Sequence, residues 1–173
     1  MRRISLILIA LASVAAAKPA GWTQQQRTCP LKQAPAGLTA EVVKAMLPGA
    51  TEEEISDAAA EQLADVALAC AKKTKVSKAR IDPYIELATW QLTSAGLGDA
   101  VKAKGLDPAM LNTAMSVGPG RANPSFENLS DTQVTQLMVA LKARGVDVEA
   151  LPEDVWQLVG SYLEATSRAW KVK

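Results

Sequence analysis

Apolar residues along this chain recur at spacings of three and four, and no segment alternates with the period of two that a half-buried strand requires. The pattern predicts an all-α protein, a single-domain helical bundle of about six or seven mostly short helices. "TAEVVKAML" predicts a short helix with Thr39 as N-cap and Val42, Val43, Met46 and Leu47 on one face, ended by Pro48 and Gly49. A stronger helix follows in "TEEEISDAAAEQLADVALACAKK". There Thr51 and Glu54 fit a capping box, and Ile55, Ala59, Leu63, Val66 and Cys70 form one stripe, with acids early and lysines late as the helix macrodipole favours.

The next helix is expected to take Asp82 as cap, Pro83 at its first position and Gly96 as a left-handed stop, with Ile85, Ala88, Trp90 and Leu92 inward. "GDAVKAKG" predicts a separate short helix stopped by Gly105. "DPAMLNTAMSVG" repeats the Asp-Pro opening, with Asp107 as cap and Leu111, Ala114 and Met115 inward. Residues 118–128 carry two glycines and two prolines and break the pattern. After them Ser130 and Gln133 form a capping box and Gly145 a stop. The last helix spans about Pro152 to Trp170, with Trp156, Val159, Leu163, Thr166 and Trp170 on one stripe and Val155, Leu158 and Tyr162 beside it, a width that implies burial on two sides. "VKAKGLDPAML" at 101–111 and "LKARGVDVEAL" at 141–151 resemble each other, and a shared way of stopping a helix accounts for this as well as duplication does.

The start of the chain changes the picture. Arg2 and Arg3 precede an apolar run from Ile4 to Val14 and the small residues Ala15 to Ala17, the layout of a secretory signal peptide over residues 1–17. The run is about a dozen residues where a spanning helix needs roughly 20, so a cleaved leader and a periplasmic or secreted product are expected. Residues 18–37 mix proline, glycine and glutamine without an apolar period and are expected to form an irregular arm ahead of a helical domain at 38–173.

Loss of the leader removes Arg2 and Arg3 and no acid, so 19 basic against 18 acidic residues becomes 17 against 18. The cationic excess with which a nucleic-acid binder displaces counterions is missing, and nucleic acid is not the expected partner. Export leaves two thiols, Cys29 and Cys70, with one possible pairing. One disulfide tethering the arm to the helix of Cys70 is expected.

Candidate chemistry is sparse. The chain has no histidine, which removes Ser-His-Asp and Cys-His nucleophilic systems and the usual zinc sites. No cofactor or metal is expected. Glu54, Asp57, Glu61 and Asp65 lie along one side of a single straight helix, where carboxylates do not converge, and read as a solvated face. Lys72, Lys73, Lys75, Lys78 and Arg80 form a dense basic run, a candidate for anionic headgroups or an acidic partner; lysines also simply complement a helix C-terminus. Arg121, Asn123, Phe126 and Glu127 place hydrogen-bonding groups beside the only phenylalanine and form a candidate loop site. Trp90, Trp156 and Trp170 read as core, whereas Trp22 in the arm either docks on the bundle or awaits a partner. The expected function is that of a non-catalytic exported helical protein acting through protein or envelope-surface contacts, with peripheral membrane contact among them. Carriage of a small apolar ligand or lipid is the alternative, and carboxylate-dependent glycan cleavage a second.

Overall fold

The computed structural model describes residues 21–44 and 57–173. The leader, the Met46 to Gly49 helix end, and the Thr51, Glu54 and Ile55 assignments lie outside the described residues. Among those described there are seven α-helices and no strand: α1 (Gln24–Gln33), α2 (Leu38–Val43), α3 (Asp57–Lys73), α4 (Ile81–Ala103), α5 (Pro108–Ala114), α6 (Asp131–Lys142) and α7 (Glu153–Lys171). A disulfide joins Cys29 to Cys70, as the cysteine count predicts. No described helix is long and apolar enough to cross a membrane.

The 18–37 stretch, expected to be irregular, contains α1. Its sequence "QQQRTCPLKQ" has no apolar stripe, and only Cys29 and Pro30 are buried. What starts it is a capping box: Thr23 accepts the Gln26 N–H while the Gln26 side chain accepts the Thr23 N–H. Pro30 lies inside the helix and has no N–H to give the Gln26 carbonyl one turn earlier. Tyr84 of α4 supplies the missing donor, its hydroxyl reaching that carbonyl at 2.8 Å.

α4 is one helix where two were expected. Asp82 and Pro83 sit in its first turn, with Arg80 at the N-cap position, and Gly96 lies in its interior, not at a left-handed stop. The glycine permits a helix crossing: a Cβ on Gly96 would stand 2.3 Å from the Thr39 carbonyl oxygen of α2. Thr39 accordingly lies within α2, with Gly37 at the N-cap position. The buried face of α4 is Tyr84, Leu87, Ala88, Leu92, Leu97 and Val101; Ile85 and Trp90 are only partly covered.

Other terminal signals are met. Asp107 caps α5 by accepting the Ala109 N–H, and Ser130 with Gln133 caps α6. α4 and α6 end in the same way, at Gly105 and Gly145 in the left-handed region, with Leu106 bonded back to Val101 and Val146 to Leu141. α3 and α5 close with the same pair of bonds although Lys75 and Ser116 occupy the left-handed position. The stop therefore recurs where 101–111 and 141–151 have no counterpart, which favours a shared stop over duplication.

α4 and α7 run antiparallel and form the central seam. Ser94 and Thr166 hydroxyls meet at 2.6 Å, Lys104 reaches Asp154 at 3.0 Å, and Gly98 lets the Tyr162 ring come close. Leu97, Val101, Leu158 and Leu163 fill the seam, and α5, α6 and Phe126 close over it to make the largest apolar cluster. α7 buries residues on both flanks of its stripe, Val155, Leu158 and Tyr162 as well as Val159 and Leu163. A second, smaller cluster gathers Trp22, Cys29, Cys70, Ala71, Tyr84, Leu87 and Val172 at the other end of the seam.

Candidate functional site

The small cluster lies where α3 ends, α4 begins and α7 ends, so the residues flanking these termini share one end of the molecule. α1 is fastened there. Trp22 is 6% exposed and packs on Tyr84 with ring centroids 5.2 Å apart. The Arg80 guanidinium stacks 3.7 Å above the Trp22 ring. Arg27 stacks 4.4 Å from the Trp170 ring and donates to the Ala169 carbonyl at 2.9 Å. Burial lowers the pKa of Arg27 and, by excluding the phenolate, raises that of Tyr84. Trp22 therefore docks on the bundle. Arg80, one of the five residues of the basic run, is spent on holding it.

The remaining four, Lys72, Lys73, Lys75 and Lys78, are exposed. Three lysines that the linear run does not contain join them: Lys32 on α1, and Lys171 and Lys173 flanking the buried Val172. The lysines of the described chain divide by place. Lys44, Lys102, Lys104 and Lys142 each pair with a carboxylate at 3.0 to 3.8 Å. Among the described residues none of the seven at the disulfide end forms an ion pair. Asp82 and Glu86 lie on the opening turns of α4, and Glu86, Glu127 and Glu164 line one cleft with Lys171 and Lys173. The grouping of Lys32 and Lys171 with Lys72 is set by helix packing, and the position of Cys29 three residues before Lys32 is the one sequence clue to it.

The loop candidates separate. Asn123 is buried and folds the loop on itself, accepting the Gly118 N–H at 2.7 Å and donating to the Gly118 and Arg121 carbonyls. Arg121 donates to the Asn112 carbonyl at 3.0 Å. Phe126 belongs to the main core, and its N–H donates to Glu164. Glu127 pairs with Arg168, which also binds Glu164. Two surface clefts meet at this ion bridge. One, of about 530 Å³, is lined by Trp156 and Glu153 among others, and the second, of about 520 Å³, by Lys171 and Lys173. Glu164, Arg168 and the partly exposed Trp156 are groups that the linear pattern did not single out as surface chemistry.

Asp57, Glu61 and Asp65 are exposed along α3. No group of three or more His, Cys, Asp or Glu side chains among the described residues is placed to hold a metal ion. Comparison with protein-family models, with curated proteins and with solved structures finds no match to this chain.

Proposed function

We propose that this is an exported, non-catalytic protein that associates with an anionic envelope surface through its lysine-rich end. The observation that carries the reading is the division of the lysines: those distant from the disulfide are ion-paired, and the seven around it are unpaired among the described residues. A lysine near an anionic bilayer contributes about 1 kcal/mol, so several acting together support reversible attachment without an inserted helix. The leader-like segment at 1–17 and the disulfide support export. The helix interfaces support action from the surface in preference to carriage, because Leu97, Leu111, Leu158 and Leu163 are packed into the space between helices.

Co-sedimentation with vesicles containing phosphatidylglycerol tests this. The oxidised protein should pellet with them at low ionic strength and be released at about 1 M salt, where the screening length falls to about 3 Å. Replacing Lys72, Lys75 and Lys78 together by glutamine should weaken binding about a hundredfold at about 1 kcal/mol for each charge. Binding that ignores salt, or survives the triple substitution, removes the proposal.

A further inference from the structure

The disulfide sets two helices so that one small cleft lies beside it, lined by Lys32, Gln33, Gln25 and Thr28 of α1 and by Lys73 with Thr74 at the end of α3. We propose that this cleft receives a phosphomonoester group, held between the ammonium groups of Lys32 and Lys73. The proposal rests on the surface reading above only in expecting the group to be presented by a membrane.

The spacing explains the cleft. Lys32 follows Cys29 by three residues and Lys73 follows Cys70 by three, while Gln33 and Thr74 follow by four and Gln25 precedes Cys29 by four. Residues three and four apart share a helix face. Joining the half-cystines, with Cα atoms 5.7 Å apart, therefore brings these two faces together. The cavity measures about 170 Å³, below the roughly 300 Å³ at which sites for drug-sized ligands begin, and suits a small ionic group.

Its chemistry is one-sided. Among the described residues no carboxylate lines it and neither lysine has an ion-pair partner. The hydroxyl protons of Thr28 and Thr74 are committed to the Gln24 and Cys70 carbonyls. The lining residues whose donors are not so committed are Lys32 and Lys73, with two ammonium groups, and Gln25 and Gln33, with their carboxamides. The C-terminal ends of α1 and α3 oppose an anion with about half a charge each, which two full cations outweigh. The last carbonyls of α3 are also occupied, Ala71 by the Val76 N–H and Lys72 by the Lys75 N–H. A phosphomonoester carries about −1.5 to −2 charge at neutral pH on three terminal oxygens, enough for both lysines and the amides together. A carboxylate or a phosphodiester brings a single charge.

The test compares vesicles containing phosphatidic acid, a monoester, with vesicles containing phosphatidylglycerol, a diester, at matched surface charge, using the oxidised protein. The monoester surface should bind about tenfold more tightly. Lys32→Gln with Lys73→Gln should erase that preference, and Lys75→Gln with Lys78→Gln should weaken both surfaces while preserving it. Equal affinity in the unmodified protein, or a preference untouched by the Lys32 and Lys73 pair, overturns the proposal. Glycerol 3-phosphate followed by amide shifts at Gln33 and Lys73 separates the two readings. Saturable shifts that Lys73→Gln abolishes, without vesicle binding, keep the cleft and remove the surface reading. Vesicle binding without preference and without those shifts keeps the surface reading and removes the cleft.

Discussion

The two ends of the α4–α7 seam are held together differently. Toward the α4 C-terminus, α5, α6 and the 118–128 loop bury a broad aliphatic cluster, and Lys104 and Lys142 on that side are ion-paired. At the other end a small cluster carries a disulfide, the Arg80–Trp22 and Arg168–Trp90 stacks and a tyrosine hydrogen bond, with Arg27 stacked on Trp170 at its edge, beneath lysines that form no ion pair among the described residues. Burial is the main contribution at the first, since each fully covered Leu or Val contributes about 1.5–3 kcal/mol. α1 cannot be held that way. It has almost no apolar face, so directional and covalent links take the place of area, and its outer surface is left free for charge.

The largest effect that could break this contrast is loss of the disulfide. Replacing Cys29 and Cys70 by alanine frees a loop with a sequence separation of 41 and should cost about 4 kcal/mol, less any strain released. Hydrogen exchange should show α1 losing more protection than α4 and α7, because α1 also opens locally; equal loss in both would show that the two ends are not separately held.

A smaller effect is expected on the aliphatic side of α4. Gly96→Ala drives a methyl group into the Thr39 carbonyl oxygen, and the neighbour in the way is backbone, so the cost should be about 1–3 kcal/mol. Urea unfolding measures it, and an unchanged midpoint would mean that α2 can move aside.

The smallest concerns Tyr84. Tyr84→Phe leaves the Gln26 carbonyl without its donor, because Pro30 cannot replace it, at about 1 kcal/mol near neutral pH. Burial raises the folded-state pKa of Tyr84, and likewise that of Tyr162. For an acid held neutral by the fold, the stabilisation is full below the unfolded value near 10 and is lost as pH climbs through the raised folded value. The unmodified protein should therefore lose stability above about pH 10, and Tyr84→Phe should flatten part of that slope. An identical alkaline slope in the variant would assign the whole effect to Tyr162 and other groups.

α1 and α4 departed furthest from the apolar pattern of the sequence. Period-based reasoning finds α3, α6 and α7 because each must turn an apolar stripe inward, and stripes are visible in one dimension. α1 offered only its Thr23–Gln26 box, a local signal easily outweighed by proline, glycine and glutamine around it. Gly96 read as a stop because glycine stops helices more often than it admits a neighbour. The same limit applied at the surface. The run from Lys72 to Lys78 is continuous in sequence and was legible, whereas Lys32, Lys171 and Lys173 join it only after three helix ends converge.

Sequence alone determined the all-helical class, the pairing of two cysteines and the caps at Asp107 and Ser130, because each depends on periodicity, on counting or on groups within four residues of one another. The tertiary structure decided which side of α4 is covered, why Gly96 must be small, which donor serves the Gln26 carbonyl and which lysines go unpaired. Those outcomes depend on distances between segments that are far apart along the chain, and helix packing alone sets such distances.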